Sequence, residues 1–292
     1  MGKVILRILG ALATVYLGIG IVYGVLVALG LANRLTADYA TRMLANLALG
    51  AVATGLIFVY ARRPGGVSPR ELGLGWTARD AAFAAVAATV AIGSAWAYIL
   101  LLGEFGMHPL TPVAPSWGLM AIGLLGQCGI LYEELLFRGY LLALLRRHVG
   151  TGSALAVAAA LFAAYHVPAR GLGIMVASWL LGGLLYGYLY LRSGSLWVAL
   201  SVHVAHNWAA DLFLYGDNGV SLFRFATPLG GPEKLAHKLV LTLTLLALAW
   251  LVYGRGTRAL APSARLCSRW TGSLAASVPD GKASSLASRS AG

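Results

Sequence analysis

Between Val4 and Ala32 the only charged side chain is Arg7, and the same poverty of charge returns in stretch after stretch along the chain. A helix needs about 20 mainly apolar residues to cross the roughly 30 Å hydrocarbon core of a bilayer. The backbone must also satisfy its own hydrogen bonds there, so helices are the expected spanning element. Stretches of this kind cover 4–32, 40–61, 80–103, 116–137, 151–167, 172–191, 195–214 and 236–254. They predict an all-α, polytopic transmembrane helical bundle of about eight spans. The composition agrees, with 59% hydrophobic and 11% charged residues and a mean hydropathy of +0.77, far from a soluble globular domain. The first stretch is too long for a signal-peptide core and lacks a clear small-residue cleavage site, so a retained helix is expected.

The net charge of +12 reads first as a topology signal, because Lys and Arg favour cytoplasmic loops. With the N-terminus inside, the cytoplasmic side holds Lys3, Arg7, Arg62, Arg63, Arg70, Arg79, Arg146, Arg147, Arg192 and the basic residues from Arg255 onward. The other side holds Arg34, Arg42, Arg170, Arg224, Lys234 and Lys238. Both termini are therefore expected in the cytoplasm. The Ala- and Gly-rich, Arg-over-Lys composition points to a GC-rich bacterium and hence to a bacterial inner (plasma) membrane. The lipid bilayer is one partner, with anionic headgroups attracted to the charge. Nucleic acid is not, since the basic residues gather on no soluble domain. Two cysteines, Cys128 and Cys267, provide neither a disulfide framework nor a thiolate metal knuckle.

Four regions follow from these patterns. Residues 1–114 hold the first helices and a polar Gly- and Pro-containing loop, and 115–215 carry the polar residues at membrane depth. Residues 216–258 hold a final loop and helix. Residues 259–292 form a basic Ser- and Ala-rich tail too poor in apolar surface to offset its ordering entropy. Small residues crowd the spans, as in "VAAALFAAYH", and allow close helix approach.

Glu133 and Glu134 are the two acids in the body of an expected span. Ionisable groups at that depth cost on the order of 2.5 to 3.5 kcal/mol each on insertion scales and mark functional interiors. Glu134 and Arg138 stand at i and i+4 with the acid N-terminal, the favourable order for a helical ion pair. Glu133 lies about 100° around the helix from Glu134, which leaves it available for reaction. Two other spans carry imidazoles: Phe162 and His166 lie one turn apart in "LFAAYHVP", and His203 and Asn207 share a face in "LWVALSVHVAHNWAAD". Taken singly, a histidine near a span end is an ordinary interfacial residue, and an asparagine an ordinary helix-helix donor. Together with the glutamates they suggest a converging site.

A glutamate and a histidine can jointly activate water, while a second histidine and an asparagine can donate to the oxyanion of an attacked amide. That division of labour suits peptide-bond hydrolysis. Two histidines and a carboxylate can also hold zinc with water at an open position, making Glu133, His166 and His203 candidate metal ligands. Yet no H-E-x-x-H is present, and spacing leaves the metal-free and zinc-dependent readings both open. A non-catalytic scaffold is the alternative from another class. A proton-coupled transporter would show matching halves, and the sequence has no clear internal repeat.

The motifs "EELLFR" (Glu133 to Arg138), "FAAYH" (Phe162 to His166) and "HVAHN" (His203 to Asn207) together resemble the CPBP family. This is the family of CAAX proteases and bacteriocin-processing enzymes, also called Abi, and it includes the type II CAAX prenyl endopeptidases. The resemblance covers about residues 115–215. It implies an intramembrane endopeptidase acting on a peptide or membrane-protein substrate, with a site enclosed among helices and open to the cytoplasmic side. By correspondence Glu133 and His166 activate water, His203 and Asn207 form the oxyanion site, and Glu134, Arg138 and Phe162 support them. The family is catalogued as metal-dependent, although its residues also suit a glutamate protease. Bacteriocin-immunity proteins belong to the same family, which gives the scaffold alternative its concrete form.

Overall fold

The structure, a computed structural model, describes residues 2–31, 33–63, 66–216 and 218–254. The expected basic tail, with Cys267 and the basic residues from Arg255 onward, lies outside the described residues. Most of the apolar stretches become helices whose ends are written in the local sequence. Helix α1 (Gly2–Ala28) stops at Ala28 rather than at 32, because Gly30 takes the left-handed conformation (φ 68°). Gly30 N then donates to Val27 O and Leu31 N to Leu26 O, closing a Schellman turn. Helix α2 (Tyr39–Ala61) begins at Asp38, whose carboxylate accepts from Thr41 N at 2.8 Å. Helix α3 (Ala78–Glu104) starts in a capping box between Thr77 and Asp80.

Helix α4 departs most from expectation. It was expected to end near 137 but runs from Trp117 to Val149. No proline interrupts it, and the first residue that breaks it is Gly150, with φ 78°. Its winding also changes along its length: a 3₁₀ turn at Cys128–Ile130, an α turn at Leu131–Glu134, and a π-helix over Leu135–Leu142. Widened turns of this kind recur at functional sites. Four more helices follow: α5 (Thr151–Arg170), α6 (Met175–Ser193), α7 (Leu196–Phe213) and α8 (Gly231–Tyr253).

The result is a polytopic helical bundle, and the chain is an integral membrane protein. Among the described residues six helices are long and apolar enough to cross a bilayer: α1 to α4, α5 through Pro168, and α8. The expected spans α6 and α7 form as helices but fall outside that group. They carry Arg192, His203, His206, Asn207 and Asp211, and their inner faces are mostly buried. Two three-residue strands that the sequence reading missed, β1 (Leu110–Pro112) and β2 (Phe223–Phe225), pair antiparallel between the loops before α4 and before α8. They are too short to alter the all-α class.

α4 is central, touching α2, α5, α6 and α7, while α8 leans on α6 and α3. Every residue from Tyr132 to Leu145 is buried. Two ends of the bundle can be told apart. At one, which we call the loop end, residues 66–76 fold inward: Leu72 and Val67 are buried. Leu196 N donates to Gly73 O, Ser195 Oγ to Gly75 O (2.7 Å each), and Trp197 Nε1 to Leu74 O (3.0 Å). The β1/β2 ribbon marks the opposite, ribbon end.

Candidate active site

The sharpest feature of the interior is Glu134, 0% exposed, with two donors on one oxygen. Arg138 Nη1 donates to Oε1 at 3.0 Å and His203 Nδ1 donates to the same atom at 2.7 Å. Arg138 (1% exposed) also sends Nη2 to Gly182 O at 3.4 Å. Its guanidinium lies 4.3 Å from the Phe162 ring centroid and 5.2 Å from that of Tyr186, a weakly hydrated cation between two π faces. The i, i+4 ion pair expected from the sequence is therefore present even though the π-helix begins at Leu135.

Glu133 is engaged differently. Tyr132 Oη donates to its Oε1 at 3.2 Å and itself meets Tyr165 Oη at 3.1 Å. Its other oxygen, Oε2, faces His166 Nε2 at 4.0 Å. His166 Nδ1 donates to Phe162 O at 2.8 Å, so the neutral ring presents the Nε2 lone pair toward Glu133. Both are then acceptors, so no direct hydrogen bond joins them. Trp179 stacks on the His166 ring at 5.3 Å and 22°, and Phe162 packs edge-on at 4.7 Å.

The structure thus brings Glu133, Glu134, Arg138, Phe162, His166 and His203 into one contiguous cluster on α4, α5 and α7. Phe162 is its spacer, in contact with His166, with His203 at 6.0 Å and with Arg138. Asn207 lies one turn beyond His203, partly exposed, and its Oδ1 accepts from His206 Nδ1 at 3.3 Å. That bond leaves the Asn207 amide NH₂ as the donor end.

The candidate metal set fares otherwise. Among the described residues no group of three His, Cys, Asp or Glu side chains is arranged to hold a metal ion. Of the three candidates, His203 turns Nδ1 to Glu134, and His166 Nε2 stands 4.0 Å from Glu133 Oε2.

Several neighbours escaped the sequence reading. Tyr132 and Tyr165 immediately precede Glu133 and His166, so their sequence adjacency was a usable signal, but aromatic residues in apolar runs look like packing. Lys238 was counted among basic loop residues, yet it lies inside α8, buried, with Nζ donating to Tyr186 Oη at 2.9 Å. Tyr186 in turn stacks on His203 at 4.3 Å. Asp211 lies within α7, accepting from Tyr39 Oη (2.9 Å) and Gln127 Nε2 (2.8 Å), so the two glutamates are not the only acids inside the helices.

Residues 115–209 match the family model described as type II CAAX prenyl endopeptidase Rce1-like. This segment is similar to that family's core. It begins just before α4 and takes in α5, α6 and most of α7, the helices that carry the cluster. The match is to that segment, about a third of the chain, and the CPBP resemblance read from the motifs agrees with it. Lys238 and the loop at 66–76 lie outside the matched residues. A comparison with curated proteins finds no match.

Proposed function

We propose that the chain is an intramembrane endopeptidase that hydrolyses a peptide bond in a membrane-associated peptide or protein, using a water activated by Glu133 and His166. The observation that carries this reading is the pair of facing acceptors, Glu133 Oε2 and His166 Nε2, 4.0 Å apart. A water lying against both donates one O–H to each, which aligns its lone pair for attack and gives its proton a destination. Glu134 is already committed to Arg138 and His203, so Glu133 is the carboxylate left for the reaction.

In the step itself the water oxygen bonds to the carbonyl carbon as its proton passes to Glu133. The carbonyl oxygen becomes an oxyanion beside the Asn207 amide and His203, whose Nε2 donates whenever the ring carries that proton. Glu133 then returns the proton to the amide nitrogen, the C–N bond breaks, and an acid and an amine leave. The Rce1-like core supports an endopeptidase, and CAAX-type tails are the first substrates to try.

The test is cleavage of a fluorogenic peptide library by the detergent-purified chain. Glu133→Gln and His166→Ala are each expected to lower kcat by about 10² to 10⁴-fold, the usual worth of general-base catalysis, while the protein keeps its gel-filtration profile. Unchanged turnover in Glu133→Gln would sink the mechanism.

A further inference from the structure

Helix α8 lies outside the residues that match the family model, yet it sends a lysine against the site. Lys238 stands about two turns into that helix and is 3% exposed. Its Nζ donates to Tyr186 Oη at 2.9 Å and lies 4.8 Å from the centre of the same ring. A lysine near a helix end ordinarily lays its carbons along apolar surface and lifts the amine to water. This one turns the amine inward, to α6. None of the ion pairs among the described residues includes it. An ionisable group so placed is costly at membrane depth and marks a functional interior. Packing alone would be served as well by methionine.

The ring that the amine holds is the ring that holds His203. Tyr186 is buried and stacks on the His203 imidazole at 4.3 Å and 21°. The bond from His203 Nδ1 to Glu134 Oε1, at 2.7 Å, anchors one edge of that imidazole. A single hydrogen bond leaves a ring free to rock about it, and the rocking swings the other nitrogen, Nε2. The flat face of Tyr186 removes that freedom on one side, and Phe162, edge-on at 6.0 Å and 72°, removes it on another. Tyr186 comes from α6, and its far end is Oη, where Lys238 binds. The lysine passes close over α6: its Cε and Nζ stand 3.6 Å from where a Cβ on Gly182 would lie. The Gly182 carbonyl in turn accepts from Arg138 Nη2. One chain of contacts therefore runs from Lys238 through Tyr186, His203 and Glu134 to Arg138.

We propose that Lys238 is a positioning residue for the oxyanion side of the site: through Tyr186 it holds the His203 ring so that Nε2 points at the reacting carbonyl. This rests on the endopeptidase reading, in which His203 Nε2 donates to the oxyanion. Lys238 acts through Tyr186 and not on the substrate. Its neighbour His237 turns elsewhere, with Nε2 3.2 Å from Ser94 Oγ of α3, so the hold belongs to one side chain of α8 and not to the helix as a whole.

The experiment compares the full chain with Lys238→Met, which keeps the length and apolar body of the side chain and removes the donor. The control is Thr242→Val, one turn along α8, buried and with a hydroxyl that has no hydrogen-bond partner among the described residues. In protein carrying isotope-labelled histidine, the Cε1–H resonance of His203, assigned by its loss in His203→Gln, carries the ring-current shift of the stacked Tyr186. Lys238→Met is expected to move that resonance and Thr242→Val to leave it in place; an unmoved line in Lys238→Met overturns the inference. In steady-state cleavage of a fluorogenic peptide, Lys238→Met is expected to lower kcat by about 10- to 10²-fold, the scale of a catalytic group displaced by up to about 1 Å. KM stays near the wild-type value, and thermal stability in detergent does not fall. An equal loss in Thr242→Val, or a loss confined to KM, overturns the proposal. Tyr186→Phe is expected to lose as much, and Tyr186→Phe/Lys238→Met no more than either alone, because the two act through one hydrogen bond; additive losses overturn the route through Tyr186. The resonance needs no turnover. A line that moves in a chain without Glu133-dependent cleavage refutes the proteolytic reading and leaves the hold on His203 standing.

Discussion

Glu134 takes the Arg138 guanidinium and the His203 ring on one oxygen within a layer that admits almost no solvent. Removing one partner strands the other's charge, which costs about 3–5 kcal/mol for a buried pair. Arg138→Met is therefore expected to lower the unfolding free energy by that amount in chemical denaturation of detergent-solubilised protein. Glu134→Gln/Arg138→Met, which removes both charges, is expected to lose less. Tyr132 belongs to a different class of effect: it touches Glu133 rather than the substrate, so it acts by positioning. Tyr132→Phe is expected to lower kcat while KM stays near the wild-type value, measured in steady-state cleavage; a change confined to KM would reject that role. The Glu134–Arg138 pair was legible in the sequence because i, i+4 spacing is a property of one helix. The Lys238–Tyr186 and Tyr132–Tyr165 contacts were not, since each is fixed by how separate helices turn toward one another.

Helix α4 meets α2 at backbone distance. A Cβ on Gly50 would collide with the Gly129 carbonyl, and one on Gly129 with the Asn46 carbonyl, so the two chains touch where neither has a side chain. Gly129 precedes Glu133 by one turn, in the 3₁₀ segment. Gly129→Ala is expected to cost about 1–3 kcal/mol through overpacking, with a lower unfolding temperature in detergent and reduced cleavage as α4 is displaced. Wild-type stability and activity in that variant would show that the crossing tolerates a methyl group. Helix existence was readable from apolar length alone. The helix limits at 28 and 149 and the π-helix at Leu135–Leu142 were less so, because a left-handed glycine or a widened turn leaves no mark on hydropathy.

For the molecule as a whole, the 66–76 segment is held by an ion pair outside the membrane helices' apolar stretches. Arg147 donates from Nε (3.2 Å) and Nη2 (2.5 Å) to Glu71 Oε1. Burial pushes the Glu71 carboxyl up, but hydrogen bonds from Ser68 and Arg147 outweigh it and hold the group below its ordinary value of 4.5. A carboxylate depressed in the folded state stabilises above its unfolded value and loses that contribution as pH falls through the folded one. Glu71→Gln is accordingly expected to be less stable than wild type at neutral pH, with the difference shrinking below pH 4.5, as read from thermal unfolding across an acid series. An unchanged gap at low pH would assign the contribution elsewhere.

That closure has an electrical consequence. A line of carboxylates and imidazoles wetted from both faces of a membrane would pass protons from one aqueous phase to the other and run down the gradient the cell maintains. Here the ionisable layer is backed by a buried, uncharged stretch from Gly139 to Leu145, with the inward fold of residues 66–76 behind it. The protein holds charge deep in the bilayer and still works as an insulator.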